Sequence, residues 1–297
     1  RDTPIYEKAI DFIRRHKDGP FYVNIWGFTS HAPVASASNY LEKFKDVKLN
    51  RNDFSEFMQP VFDDSVAVFD DLDLNMRHYL ANVYALDLNV KMVMDVLNEL
   101  GIADNTVLVF SSDQGPPRPL GHCLGELDRD LFAPKLWNIK EKRLLAAKKR
   151  AIEDVLKDVP QNRKKHFQNL LGNTGTFRGS KGSSLEGGLR VPFIVRWPGK
   201  VKSNFVDTQN VIGLIDWLPT ICSLAGVKNI PNDLDGEDVS DMWLGLTRKR
   251  TKPLLWGPRE PGLTIREDQW KYYLLFDDKK KYFGEALYDV VNDPGEK

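Results

Sequence analysis

Cysteine is almost missing from this chain, with only Cys123 and Cys222 among 297 residues. Two such separated thiols make neither a disulfide framework nor a CxxC metal site. Cys222 lies in the apolar run LPTICSLAGV, where a thiol reads as a small buried hydrophobe, so the redox compartment stays open. Net charge is missing too: 42 Lys and Arg balance 42 Asp and Glu, and no global field directs the chain to nucleic acid. No apolar run approaches the roughly 20 residues of a membrane-spanning helix. The opening residues read as a polar helix and not as a signal peptide. No N-x-[ST] sequon occurs, which gives no support for a glycosylated lysosomal protein and does not exclude secretion. Internal repeats and low-complexity tracts are absent as well. What is present, 41% hydrophobic and 28% charged residues, suits a soluble globular protein with one large core or two unequal ones.

Periodicity divides the chain. Ile5, Ala9, Ile10, Phe12 and Ile13 fall on one helical stripe, Gly19-Pro20 stops it, and Phe21 to Phe28 reads as a buried strand leading to Ser30-His31-Ala32-Pro33. A second helix is predicted from about Met76 to Leu100, closed by Gly101, followed by the strand NTVLVF and the turn SSDQG. Helix-then-strand alternation of this kind predicts an α/β sheet, and ligands of such sheets sit beyond the carboxyl ends of the strands. His31, Asp113 and Gln114 all fall at such ends.

Residues 116–176 read as an insertion that is helical by period and broken at Pro160. Between Lys135 and His166 it carries eleven Lys or Arg against four Asp or Glu. That bias fits either a solvated helical face or a basic lid for an anionic substrate. A strand LRVPFIVRW, the turn Pro198-Gly199 and a helix ending at Gly226 follow. From about Leu246 the texture changes to short strands rich in Trp and Tyr, which predicts a small antiparallel subdomain. The expected organisation is a main domain over 1–245 and a C-terminal subdomain over 246–297.

Several residues carry candidate chemistry. Asp113 and Gln114 offer a carboxylate and an amide oxygen side by side, hard donors of the kind Ca²⁺ or Mg²⁺ prefers, and Gly115 permits a sharp exit; Asp-Gln-Gly is equally the composition of an ordinary turn. Four glycines between Gly179 and Gly188 surround Lys181, and glycine is kept where the backbone turns sharply or approaches something closely. Glu186 and Arg190 read as partners bracing that loop, since a buried carboxylate must be paired. His31, held beside Pro33, and His122 in PLGHCLGE are either functional or hydrogen-bonded surface groups.

In this order these segments resemble the sulfatases of the alkaline-phosphatase superfamily. PFYVNIWGFTSHAPV is similar to that family's strand and His-x-Pro turn, and VLVFSSDQG to its Ser-Asp-(Asn/His/Gln)-Gly metal turn. GSKGSSLEGGLRVPFIVRWPGKV matches the signature G-x-K-x-x-x-x-E-G-G-x-R-x-P, while LDGEDVS and ALYDVVNDPGEK match later turns and strands. The resemblance implies an alkaline-phosphatase-like mixed sheet flanked by helices, with a small C-terminal antiparallel sheet. It implies that Asp113 and Gln114 hold part of the shell of a Ca²⁺ ion (Mg²⁺ in some relatives), and that Lys181 and His31 meet the sulfate and its bridging oxygen. His122 becomes a substrate contact, with Glu186, Arg190 and Gly115 supporting the site. The implied partner is a sulfated small molecule or polysaccharide, in a secreted, periplasmic or lysosomal setting.

The family attacks with a formylglycine made from the first residue of (C/S)-x-P-x-R. Neither cysteine here stands in that motif, and no serine does. The matching segment starts at a helix well inside the family domain, so the nucleophile and an Asp-Asp pair completing the metal site are expected upstream of residue 1, and this chain alone is expected to be inactive. Hydrolysis of a sulfuric ester is the leading expectation. A phosphate or phosphonate ester hydrolase and a non-catalytic sulfated-glycan binder are the alternatives.

Overall fold

The computed structural model describes residues 2–31, 34, 38–68, 71–117, 172–259, 262–276 and 281–297. His122 and most of the expected insertion lie outside them. The chain divides into two compact units, Arg1–Gly101 with Gly115–Lys181, and Ile102–Gln114 with Gly182–Lys297.

The first unit is helical. Helix α1 (Thr3–His16) buries Tyr6, Ala9, Ile10 and Ile13, and Pro4 suits its first turn because no intrahelical N–H is needed there. Ile5 and Phe12 stay only half-buried, and Phe12 instead stacks on the His16 ring at 4.3 Å. α2 (Ser38–Glu42) and α3 (Gln59–Val68) precede the long α4 (Leu72–Glu99). α4 begins four residues before the predicted start, because the Asp71 carboxylate accepts from the Leu74 N–H (2.9 Å) and caps it. Gly101 ends it at φ +69°. α1 packs on α4, joined at one end by Thr3 Oγ1 to Asn89 Oδ1 (3.1 Å) and at the other by the two-pronged Arg14–Glu99 pair (2.8 and 2.6 Å). Fully burying a side chain such as Ile13 or Leu97 stabilises the fold by about 1.5–3 kcal/mol.

The stretch 21–28 corrects one expectation. It is neither a strand nor buried: half-buried Phe21, Val23 and Ile25 alternate with exposed Tyr22, Asn24 and Trp26, and no ladder forms. The period-two pattern is present, but a strand also needs a neighbouring backbone to satisfy its N–H and C=O groups, and among the described residues none pairs with it.

In the second unit, β1 (Leu108–Ser111) pairs antiparallel with β2 (Phe193–Arg196). One face of this pair, Val109, Phe193 and Val195, packs with Val239, Met242, Trp243, Trp217 and Ile221. Those residues come from α6 (Trp217–Leu224) and α7 (Ser240–Trp243) and their approaches; the short α5 (Glu186–Leu189) lies just before β2. The helix expected across VIGLIDWLPTICSLAGV is shorter than its apolar run, since Leu214–Asp216 forms a 3₁₀ turn before α6. Gly236 is required beside that turn, because a Cβ there would stand 2.1 Å from the Ile215 carbonyl oxygen. The antiparallel sheet predicted toward the C-terminal end is a four-stranded meander of β3 (Leu254–Arg259), β4 (Gly262–Glu267), β5 (Trp270–Phe276) and β6 (Tyr282–Asp289). Lys271, Tyr273 and Leu275 alternate along the buried face of β5.

Candidate functional site

In the first unit the His31 turn is held from below by Asp2. Asp2 occupies the N-cap position of α1 without capping it. Its Oδ2 accepts from the Phe28 N–H (2.8 Å), the Thr29 N–H (2.7 Å) and the Thr29 hydroxyl (2.6 Å). The carboxylate is buried, and the close approach depends on Gly27, where a Cβ would come within 3.0 Å of that oxygen. Burial, reinforced by the Asp2 charge, pushes the neighbouring Tyr6 hydroxyl upward. His31 itself is exposed, and its backbone N–H donates to the Phe28 carbonyl (2.6 Å).

Lys181 is half-buried and stands between Gly179 and Gly182, each at φ +91°. L side chains rarely adopt that conformation, so here the glycines answer a backbone demand. The Lys181 N–H donates to the Pro116 carbonyl (2.9 Å).

In the second unit β1 delivers the Asp113-Gln114 turn. Ser112 Oγ donates to the Gln114 carbonyl (3.1 Å), and Gln114 Nε2 donates to Asp113 Oδ2 (2.9 Å). The two side chains therefore lie together; Asp113 is exposed and Gly115 is buried. They line an open groove of about 1940 Å³ that also takes in Ser183, Arg190 and Trp256. Tested as a Ca²⁺ or Mg²⁺ site, the turn fits in kind and not in number. A carboxylate and an amide oxygen are suitable hard donors, but such ions take about six to eight oxygens. Among the described residues no three His, Cys, Asp or Glu gather at one point.

Glu186 opens α5 and is almost wholly buried. Its Oε1 meets Lys271 Nζ at 2.8 Å, while Oε2 lies 3.4 Å from Arg266 and 3.6 Å from Arg190. Its N–H donates to Glu296 Oε2 (2.7 Å), and Lys271 Nζ reaches Glu296 Oε1 at 3.3 Å. Arg190, half-exposed, is thus the outermost of three cations around Glu186. The Tyr273 hydroxyl sits between Glu296 and the Ser184 carbonyl (3.1 Å), its one proton shared between them, and Ser184 Oγ shares a 2.8 Å hydrogen bond with Thr264 Oγ1. Burial pushes the Glu296 carboxyl up against the opposing pull of Lys271, pushes the Tyr273 hydroxyl far up, and pulls the Arg266 guanidinium down.

Sequence reasoning did not name Asp2, Lys271, Tyr273 or Glu296. A signal existed for Lys271 alone, since period two places it on the face of Tyr273 and Leu275. A second buried cluster was equally unannounced: Arg250 Nη2 meets Asp216 Oδ1 at 2.9 Å, and the same carboxylate accepts from the Gly213 and Glu237 amides (2.8 and 3.0 Å). It ties the turn before α6 to the approach to β3.

The Sulfatase family description matches residues 1–227, and that of the N-sulphoglucosamine sulphohydrolase C-terminal region matches residues 179–297. The chain belongs to the sulfatase family. It is 28% identical over 229 residues to the N-acetylgalactosamine-6-O-sulfatase of Bacteroides thetaiotaomicron, covering 72% of this chain and 36% of that protein. It is 31% identical over 129 residues to human Arylsulfatase A, covering 41% and 24%. Among solved structures, Ps i-CgsB in complex with k-i-k-neocarrahexaose aligns over 100% of this chain and 49% of its own, with a TM-score of 0.64 at 20% identity. The PsFucS1 sulfatase from Pseudoalteromonas sp. aligns over 99% and 47%, with a TM-score of 0.55 at 18% identity. These likenesses establish the alkaline-phosphatase-like α/β fold with its C-terminal sheet. The chain spans about half the length of those structures, and 36% and 24% of the two curated relatives named.

Proposed function

We propose that the protein containing this chain is a sulfuric ester hydrolase acting on a sulfated carbohydrate. Water is consumed, the S–O bond to the alcohol breaks, the alcohol oxygen takes a proton, and sulfate leaves. The observation that carries the reading is the paired Asp113 and Gln114 turn at the carboxyl end of β1, in a chain whose family match runs through the Lys181 loop. Asp113 and Gln114 would hold part of the shell of a Ca²⁺ or Mg²⁺ ion, which when bound supplies positive charge to a sulfate oxygen. Lys181 would stabilise negative charge as the S–O bond breaks, and His31 would contact the bridging oxygen or protonate it. His122, outside the described residues, is assigned to substrate contact. The attacking group is assigned to the part of the family domain that this chain does not span, as a formylglycine. Residues 1–245 form the catalytic domain on this reading, and 246–297 its subdomain.

A carbohydrate substrate is favoured because one relative is named for N-acetylgalactosamine-6-sulfate and one structural neighbour holds a neocarrahexaose. Among the described residues no helix is long and apolar enough to cross a membrane. The test is sulfate release by the full-length protein from an aryl sulfate and from sulfated galactosaminide oligosaccharides, against phosphate release from an aryl phosphate. Phosphate release exceeding sulfate release on matched esters overturns the assignment.

A further inference from the structure

On the strands of the C-terminal sheet, Arg266 of β4 and Lys271 of β5 face each other as a cross-strand pair. Two cations placed opposite one another on a sheet repel, and Lys271 is fully buried there. The arrangement persists because Glu186 enters between them from another part of the chain, reaching Lys271 at 2.8 Å and Arg266 at 3.4 Å. The next pair on the same face of that ladder, Thr264 and Tyr273, two positions along, receives Ser184: its hydroxyl bonds Thr264 and its carbonyl accepts from Tyr273. Glu296, beyond β6, closes the assembly by accepting the Glu186 N–H (2.7 Å) while contacting Lys271 (3.3 Å). The second half of the glycine loop is therefore seated on two cross-strand pairs of one sheet face and clasped by the turn that carries Glu296. Each contact falls on Ser184 or Glu186, three and five residues after Lys181.

We infer that Lys271 and Glu296 are positioning residues for the Lys181 loop: they hold Glu186 and the backbone around it in the one geometry in which the loop serves the reaction. The inference rests on the sulfatase reading for its catalytic consequence and on the contacts alone for its mechanical one. Neither residue meets substrate. Their purpose is to keep a glycine-rich backbone, otherwise free to sample many conformations, from moving by the ångström that costs a catalyst about 100-fold in rate.

The test uses the full-length protein with Lys271→Met, Glu296→Ala and the conservative Glu296→Gln. Amide hydrogen exchange is read at Glu186, whose N–H is bonded to Glu296, and at Gly188 and Arg190, whose N–H groups donate to the Leu185 and Glu186 carbonyls. Glu296→Ala and Lys271→Met speed exchange at these amides by about tenfold or more beyond any rise at α6 and β1. Glu296→Gln, which keeps an acceptor oxygen, restores protection. On an aryl sulfate the first two variants lose kcat by about tenfold or more with KM within about twofold, and Glu296→Gln recovers most of it. Should Lys271→Met fail to fold, the alanine and glutamine pair at Glu296 gives the same comparison. Unchanged exchange at the three amides, or exchange raised equally throughout the chain, overturns the inference. A wild-type protein that releases no sulfate sinks the sulfatase reading instead, and the exchange comparison still decides the mechanical claim.

Discussion

Lys271 Nζ lies 2.8 Å from Glu186 Oε1, and neither side chain is more than 2% exposed. Two charges removed from water at such cost are retained only when each is the other's partner and further hydrogen bonds complete the shell. Here the completion comes from Glu296 and Arg266, and the pair joins the loop that follows Lys181 to the C-terminal sheet.

Breaking that pair from one side is expected to be far worse than removing it whole. Lys271→Ala leaves Glu186 buried without its nearest cation and lowers unfolding free energy by about 3–5 kcal/mol. The double variant Glu186→Gln with Lys271→Met recovers a substantial part, as measured by denaturant titration and a double-mutant cycle. Equal losses in the single and double variants would show that the two residues are not coupled.

The Glu296 carboxyl makes stability depend on pH. It faces Lys271, Tyr273, Glu186 and Arg266, and burial, the largest influence, raises it above the ordinary carboxylate value despite Lys271. A raised group favours its neutral form in the fold. Its contribution is therefore complete below the unfolded carboxylate range, about pH 4, and is lost as pH rises through the folded value. The stability difference between wild type and Glu296→Gln, read from urea midpoints between pH 4 and 8, should shrink or change sign as pH rises. A difference that grows with pH contradicts the assignment.

Lys181→Ala in the full-length protein should lower kcat on an aryl sulfate by about 10²–10³-fold, the loss typical of one group aimed at developing charge. Circular dichroism and melting temperature should not change. Turnover within a factor of two of wild type would remove Lys181 from the chemistry.

Asp113→Ala is expected to abolish retention of bound Ca²⁺, measured by elemental analysis after desalting, since it removes the carboxylate of the Asp113-Gln114 pair. Full metal occupancy in the variant would move the site elsewhere.

Asp2→Ala removes the carboxylate oxygen that accepts from the Phe28 and Thr29 amides and the Thr29 hydroxyl. An unsatisfied buried group costs about 1–3 kcal/mol, so the melting temperature should fall. Exchange at Phe28 and Thr29 should rise ahead of exchange in α4, and a change confined to α1 would place Asp2 in helix capping alone.

Much of this was legible locally. The 3.6-residue period found α1 and α4, and the density of Trp and Tyr found the C-terminal sheet. The glycines around Lys181 marked a place where the backbone turns sharply or is approached closely, and Gly179 and Gly182 adopt positive φ. The exceptions are instructive. Phe21 to Phe28 carries a strand's alternation without a strand's partner, because pairing belongs to two segments and periodicity to one. Arg190 does reach Glu186, at 3.6 Å, but the closest cation to that buried carboxylate is Lys271, 85 positions away.

The amino-acid sequence alone determined the local elements, the glycine-flanked lysine, the adjacent oxygen donors and the signature of the family, since each depends on residues within a few positions of one another. Only the tertiary structure decided that Lys271 is buried beside Glu186, that Glu296 clasps the loop and that Asp2 holds the turn before His31. Those choices are made by desolvation, which leaves a buried charge or amide dependent on whatever partner the folded chain brings to it, however distant in sequence.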